Sequence, residues 1–194
     1  LILLLLINNF YKYKENFYTV PIHTPIFCIN LDKSFKRWKN TKQKFDNLKI
    51  PITRFSAVEG NKINNLDKSE ILNTYNTYTN SLCDKNIKPN IILELSKGEI
   101  GCSLSHLALW KKVIQLNLQQ AIIIEDDINP NNNFYDYKNM LNKLPNNWDI
   151  AYISFLNTGP KKYISNNIYI PKCGFTTAGY IINLKGAKKL IKLL

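Results

Sequence analysis

Three acidic residues directly follow the most apolar run of the chain, and their spacing suggests cation chemistry. Residues 121–124 are Ala-Ile-Ile-Ile and lead into Glu125, Asp126 and Asp127. A continuous apolar run is typical of a strand covered on both faces of a sheet. Neighbouring carboxylates at the end of such a strand repel one another unless water or a cation screens them. A hard divalent cation that also binds phosphate groups of a ligand would satisfy them.

Alternation of side chains along the strand predicts different roles for the three acids. Glu125 and Asp127 should face one side and Asp126 the other, and only residues past the strand end can turn toward a ligand. We predict that Asp127 is the principal metal ligand and a catalytic residue. Asp126 should support the metal or contact the bound ligand, and Glu125 should be structural. The alternative is that the acids only cap the following turn.

A second set of polar residues lies on the helix that precedes the acidic strand. Residues 95–118 have apolar positions at helical spacing, and the helix begins after a glycine-containing turn. Ligands of open α/β sheets bind beyond the carboxyl ends of the strands, so Gly98, Glu99, Ser105 and His106 are predicted to line the ligand crevice. Alternatively, Glu99 only stabilises the helix N-terminus and His106 is a core histidine.

The first predicted strand also ends in polar residues. Residues 26–31 are apolar and rich in strand formers except for Asn30, and Asp32 begins a turn that leads into a helix carrying Arg37. A later strand ends at Glu59. Asn30, Asp32, Arg37 and Glu59 are therefore candidate ligand contacts. Arg37 could neutralise a diphosphate, although a solvated helix face is the alternative.

Strands and helices alternate along the rest of the chain. Further strands are predicted over 148–155 and 178–183, with a hairpin-like segment between them, and a helix over 185–194. Residues 61–90 are polar and loop-like, with a short helix around 68–72. This alternation predicts an α/β fold with a mostly parallel, twisted sheet flanked by helices.

Composition narrows the class of partner. The net charge is +12, but Lys residues are spread along the chain without a basic block, so we expect no nucleic-acid partner. The four cysteines lack the paired Cys or Cys/His spacing of structural zinc sites, so thiolate ligation is not expected from the sequence. They are Cys28, Cys83, Cys102 and Cys173.

The N-terminal segment is treated separately from the main domain. Residues 1–7 are apolar but far shorter than the roughly 20 residues of a membrane span. We expect residues 1–23 to be a remnant of a signal anchor or stem, which would allow membrane association, or a strand or helix packed on the domain. This leaves the cytoplasm, a membrane surface and the secretory lumen open. Residues 24–194 form the predicted main domain.

Several motifs in this order resemble glycosyltransferase family 25, which includes lipooligosaccharide and collagen galactosyltransferases. Their positions are 29–32 with Arg37, 54–55 with 57–60, 95–102 with Ser105, His106 and Trp110, 124–127, 148–149, and 178–182 with 185–190. The resemblance departs from the family pattern at Glu59, where Asp is more usual, and at Gly179, which separates Ala178 from Tyr180. The pattern would also continue past Leu194, so we expect a domain truncated at its C-terminus.

The resemblance implies a GT-A-like nucleotide-sugar-binding fold, Mn²⁺ or Mg²⁺ as cofactor, and inversion at the anomeric carbon. It also implies a UDP-sugar donor, so the candidate ligand contacts given above become predicted donor-binding residues. Galactose or glucose is the expected sugar. The implied acceptor is a glycan, a lipid-linked saccharide of lipopolysaccharide biosynthesis, or hydroxylysine of a collagen-type chain. A carboxylate base would deprotonate the acceptor. Asp149 is the candidate base within this sequence, and a turn acid before an apolar run is the alternative.

Two other functions compete with sugar transfer. A glycosidase needs two carboxylates about 5–10 Å apart across the sugar, a demand that adjacent acids pointing to opposite sides meet poorly. A nucleotide-sugar- or glycan-binding module without catalysis is the other alternative. Release of free UDP from a UDP-sugar would separate the three.

Overall fold

The structure is a computed structural model, and it describes most of the chain. The described residues are 24–63, 74–76, 81, 86–157, 159–165, 168–171 and 174–193. The expectations for residues 1–23, for a helix around 68–72, and for Cys83 and Cys173 lie outside this set. None of the described helices combines the length and the apolar character needed to cross a bilayer.

Strands and helices alternate much as the sequence indicates. The strands are β1 (Ile26–Asn30), β2 (Thr53–Ser56), β3 (Thr74–Asn76), β4 (Ile92–Glu94), β5 (Gln120–Glu125), β6 (Ile150–Asn157), β7 (Lys161–Ser165), β8 (Ile168–Pro171) and β9 (Gly174–Asn183). The helices are α1 (Phe35–Asn47), α2 (Lys97–Gln115), α3 (Tyr137–Leu141) and α4 (Leu184–Leu193). Short 3₁₀ turns occupy Asp32–Ser34, Gly60–Lys62 and Asn132–Asp136.

The central sheet has five strands in the order β2-β1-β5-β9-β6. Strand β1 is parallel to β2 and to β5, whereas β9 is antiparallel to both of its neighbours, β5 and β6. Four strands therefore run in one direction and β9 runs in the other. The predicted α/β fold is confirmed, with a mixed sheet. Strands β3–β4 and β7–β8 form separate two-stranded sheets.

Both faces of β5 are buried, which explains its uninterrupted apolar sequence. Ala121 and Ile123 pack in a cluster with residues of α2 and α4, and Ile122 and Ile124 pack in a second cluster with residues of α1 and α3. This alternation is the physical basis of the sheet's two helical layers. The same alternation determines which helical layer each acidic residue faces at the end of β5.

The N-terminus of α2 is fixed by a cap and by a close backbone approach. The Ser96 hydroxyl accepts a hydrogen bond from the Glu99 amide, and the Glu99 carboxylate accepts one from the Ser96 amide, which is a capping box. A Cβ on Gly101 would lie 2.6 Å from the Val58 carbonyl oxygen. Glycine at this position therefore lets the first turn of α2 pack on the segment after β2.

Candidate functional site

The acidic motif lies at the edge where β1 and β5 both end. The register pairs Ile29 with Glu125, so the next residues, Asn30 and Asp126, stand side by side. Carboxyl ends of parallel strands meet at one edge of a sheet, which is the arrangement predicted from the sequence. The structure thus brings Asn30 and Asp126 together.

Asp126 is buried and held by the α1 layer. Its Oδ2 accepts a hydrogen bond from Asn30 Nδ2 at 2.5 Å and lies 3.2 Å from Arg37 Nε. The Thr41 hydroxyl donates to the backbone oxygen of Asp126 at 2.6 Å. These contacts fix both the carboxylate and the main chain. Arg37 belongs to this site, and its side chain keeps 53% of its exposure, which leaves surface for an anionic ligand.

Asp127 is exposed at the same edge. Within the described part of the chain its carboxylate takes part in no hydrogen bond or ion pair, so both oxygens can accept a cation. Hard divalent cations use one or two carboxylates and complete their coordination with water and phosphate oxygens. Asp127 fits this requirement. Asp126 fits it less well, because Asn30 and Arg37 already engage one of its oxygens.

Asn30 also links the acidic edge to β2. Its Oδ1 accepts a hydrogen bond from Arg54 Nε at 2.8 Å. A second guanidinium nitrogen of Arg54 lies 2.6 Å from Asp32 Oδ1, which also accepts from the Ser56 hydroxyl at 2.8 Å. Arg54 and Ser56 hold the pKa of Asp32 below its ordinary value. No role for Arg54 is predicted from the sequence, although its position two residues before Ser56 places both on one face of β2.

Glu59 follows β2 and is engaged by two lysines. Its Oε1 lies 2.7 Å from Lys33 Nζ and its Oε2 lies 3.0 Å from Lys62 Nζ. These two ammonium groups lower the pKa of Glu59. The predicted donor-binding residues Asp32 and Glu59 are therefore both ionised members of ion pairs near the start of the domain.

Glu125 faces the opposite layer from Asp126, as strand alternation predicts. Its Oε1 accepts a hydrogen bond from the Thr177 hydroxyl at 2.6 Å and lies 3.5 Å from His106 Nε2. His106 and Thr177 together lower the pKa of Glu125 against the opposing effect of burial. Glu125 therefore joins the end of β5 to α2 and β9.

His106 and Ser105 lie beneath this edge without exposed surface. The Nδ1 atom of His106 is 2.8 Å from the Tyr180 hydroxyl oxygen, which also accepts from Trp110 Nε1 at 2.9 Å. The Ser105 hydroxyl donates to the Gly101 carbonyl and accepts from the Val58 amide. Both side chains are fully buried, as the core-histidine alternative for His106 predicts, and donor binding by Ser105 and His106 stays a prediction.

Gly98 and Glu99 are exposed in the first turn of α2. The Glu99 carboxylate is used in the capping box with Ser96, which also lowers the pKa of Glu99. A Cβ on Gly98 would meet only the Ser96 hydroxyl, at 3.9 Å. The helix-cap alternative for Glu99 is therefore what the structure shows, and donor binding by Gly98 and Glu99 stays a prediction.

Asp149 lies away from the acidic edge, which argues against the expectation that it is the base. It precedes β6, and β6 runs parallel to β5 through the intervening β9. Because Ile150 stands level with Ala121, Asp149 lies about 20 Å from Asp126 along the strand direction. The Asp149 carboxylate instead pairs with Lys189 Nζ at 2.5 Å. The predicted strand over 148–155 begins next to Asp149, so in a mostly parallel sheet its direction already placed Asp149 at the end opposite the acidic motif.

Comparison with known proteins agrees with the resemblance found in the motifs. The family model described as "Glycosyltransferase family 25 (LPS biosynthesis protein)" matches residues 23–194. An Anopheles gambiae protein named "Glycosyltransferase 25 family member" is 30% identical, over 86% of this chain and 28% of its own length. The Homo sapiens "Procollagen galactosyltransferase 2" is 31% identical, over 86% of this chain and 27% of its own length.

A Bos taurus relative carries a different description. It is named "Probable inactive glycosyltransferase 25 family member 3" and is 32% identical over 50% of this chain and 18% of its own length. The chain thus spans less than a third of the length of each of these three relatives.

Proposed function

The chain belongs to glycosyltransferase family 25, and we propose that it binds a UDP-sugar and transfers the sugar to an acceptor hydroxyl. The proposed reaction is a single displacement that inverts the anomeric carbon. The proposed sugar is a hexose, galactose or glucose. The name of the human relative supports galactose.

One observation carries this proposal: an exposed carboxylate that is unengaged among the described residues stands beside a carboxylate that is held in place. Asp127 would hold Mn²⁺ or Mg²⁺, while Asp126 is fixed by Asn30 and orients Arg37. The bound cation would offset negative charge on the departing UDP. The half-exposed Arg37 guanidinium would bind a phosphate oxygen on the same side.

The other acids at this edge suit a binding role better than general-base catalysis. Asp32 is paired with Arg54, and Glu59 is paired with Lys33 and Lys62. A lowered pKa makes a carboxylate a weaker base, since less driving force remains for proton abstraction. We therefore leave the base unassigned and give Asp32 and Glu59 roles in organising the donor side.

The acceptor is proposed from the descriptions of the family and its relatives. The human relative's name supports a collagen-type acceptor, and the family description supports a saccharide of lipopolysaccharide biosynthesis. Both acceptors present a hydroxyl group to the donor.

Release of free UDP from UDP-galactose and UDP-glucose, with and without Mn²⁺, tests the proposal. We expect Mn²⁺-dependent release by the unmodified chain and a loss of roughly 100-fold or more in Asp127→Asn. Asp46→Asn is the matched control, because it removes one exposed carboxylate near the far end of α1. UDP release that does not require Mn²⁺ or Asp127 would contradict the proposed site.

A non-catalytic nucleotide-sugar-binding module is the second candidate, and the description of the bovine relative favours it. Binding of UDP without release of UDP from either sugar donor would support this function. Absence of both binding and release would contradict both candidates.

A further inference from the structure

Three side chains that commonly bind metals converge on the α2 side of the sheet. They are Cys102 and His106 of α2 and Glu125 of β5. The Cys102 sulfur, a His106 ring nitrogen and a Glu125 carboxylate oxygen all lie within 4.8 Å of one another. Cys102 and His106 are four residues apart on one helix, so they share a face, and the end of β5 supplies the third group.

The imidazole of His106 offers an independent sign of a ligand site. Its side chain is fully buried, and Nε2 has no hydrogen-bond partner among the described residues. A buried polar nitrogen without a partner carries a desolvation cost. This nitrogen points toward Glu125, whose Oε1 is 3.5 Å away.

We propose that Cys102, His106 and Glu125 bind a zinc ion at a site distinct from the cation at Asp127. Zinc accepts thiolate, imidazole and carboxylate ligands in tetrahedral geometry. Its bond lengths place ligand atoms roughly 3.3–3.8 Å apart, so no two of the three ligand atoms need to approach by more than about 1.5 Å. Three protein ligands leave a fourth position, which water can fill on the partly exposed side of Cys102.

The two cation sites should differ in selectivity because their ligands differ. Mn²⁺ and Mg²⁺ prefer oxygen ligands, whereas a thiolate with an imidazole favours zinc. The inference does not depend on the proposed sugar transfer. It revises the expectation that thiolate ligation is absent, since that expectation considered only ligands close together in sequence.

Neighbouring groups orient two of the three ligands. The Thr177 hydroxyl donates to Glu125 Oε1, and the Tyr180 hydroxyl contacts His106 Nδ1. Zinc at Nε2 requires the proton of His106 on Nδ1, from which it donates to the Tyr180 oxygen. That oxygen also accepts from Trp110, and its two lone pairs can serve both donors. Such outer contacts are typical of histidine–metal sites.

Zinc titration of the full chain, stripped of metal by a chelator, tests the proposal. We expect one tightly bound Zn²⁺ at this site in the unmodified chain. Cys102→Ala should weaken binding by more than the roughly 10- to 100-fold effect of losing an orienting partner. Asp127→Asn is the matched control and should keep full zinc affinity. Equal affinity in Cys102→Ala and the unmodified chain would overturn the proposal, as would loss of affinity in Asp127→Asn alone.

Two further measurements test whether a cysteine outside the described residues binds the metal instead. The second uses only the unmodified chain, so it holds even if Cys102→Ala folds poorly. Co²⁺ bound to the unmodified chain should show a thiolate-to-metal charge-transfer absorption that Cys102→Ala lacks. In the unmodified chain, Zn²⁺ should slow alkylation of Cys102, measured by peptide mass spectrometry. Absorption that persists in Cys102→Ala, or alkylation of Cys102 that Zn²⁺ does not slow, would assign the metal elsewhere and overturn the proposal.

Discussion

The two edges of the central sheet carry similar residues but differ in what those residues can bind. At the carboxyl edge of β5, Asp126 pairs with Arg37. At the opposite edge, Asp149 pairs with Lys189. Only the carboxyl edge adds a second acid, Asp127, that is exposed and unengaged within the described residues. Charge pairing alone therefore does not distinguish a binding edge from a structural one.

The opposite edge is closed by main-chain packing. The Asn183 side chain donates to the Trp148 carbonyl and accepts from the Gly186 amide, so it joins β9, α4 and the start of β6. The backbone of Gly186 lies against the carbonyl of Asp149. An acid held in this way supports the fold, whereas an acid beyond the end of β5 can meet a ligand.

The largest expected change in stability comes from filling the closed edge. A Cβ on Gly186 would lie 2.2 Å from the Asp149 carbonyl oxygen. We expect Gly186→Ala to lower the free energy of unfolding by about 2–3 kcal/mol, measured by urea denaturation. Gly98→Ala is the control, since its Cβ would make only an ordinary van der Waals contact, 3.9 Å from the Ser96 hydroxyl. Equal stability of Gly186→Ala and the unmodified chain would show that this edge is not tightly packed.

Thr41→Val should produce the next largest effect, at the carboxyl edge. The variant keeps the shape of the side chain but removes the hydrogen bond to the buried Asp126 carbonyl oxygen. We expect a loss of about 1–2 kcal/mol in denaturant unfolding and weaker Mn²⁺-dependent UDP binding. Thr41→Ser keeps the hydroxyl and should retain most of that UDP binding. If Thr41→Val bound UDP as tightly as the unmodified chain does, the hydrogen bond that fixes Asp126 would not be needed for UDP binding.

Asp149→Asn should have a smaller effect. The pair with Lys189 is partly exposed, with side-chain exposures of 27% and 36%, so solvent screens it. We expect a loss of less than about 1 kcal/mol in unfolding free energy. Mn²⁺-dependent UDP release should remain unchanged. Loss of UDP release in a folded Asp149→Asn protein would return Asp149 to a catalytic role and remove the contrast between the edges.

The smallest effect concerns the pH dependence of the exposed Asp32–Arg54 pair. Arg54 and Ser56 lower the pKa of Asp32 from its ordinary 3.8. Its stabilising contribution is therefore present above that value and is lost as pH falls through the pKa of the folded state. The unmodified chain should melt above Asp32→Asn at about pH 6, and the two should converge near pH 2. A constant difference in melting temperature between the two proteins across this pH range would contradict an ionic origin of the stabilisation by Asp32.

The local elements were accessible from the sequence because they depend on nearby residues. The apolar run of β5 predicted a doubly covered strand, and the place of Glu99 at the start of a helix allowed the cap role that the Ser96–Glu99 capping box shows. Strand alternation placed Glu125 and Asp126 on opposite faces. These inferences need only the period of a strand and the unsatisfied groups at a helix end.

Other features depend on contacts between distant residues. His106 meets Tyr180 across 74 positions of sequence, and that contact requires the antiparallel direction of β9. The third member of the Cys102 cluster, Glu125, becomes visible only when α2 is packed on the sheet. Asp149 is different, because the direction of its own predicted strand already placed it at the wrong edge.

The most direct test of the proposed carboxyl-edge site is a calorimetric titration of UDP with and without Mn²⁺. The unmodified chain and the Asp46→Asn control should both bind UDP more tightly when Mn²⁺ is present. Asp127→Asn should fold normally and lose that enhancement, by roughly tenfold in affinity or 1.4 kcal/mol at the least. If Asp127→Asn kept the full Mn²⁺ enhancement, the metal assignment would be wrong, and Asp127 would have no role beyond capping the turn that follows β5.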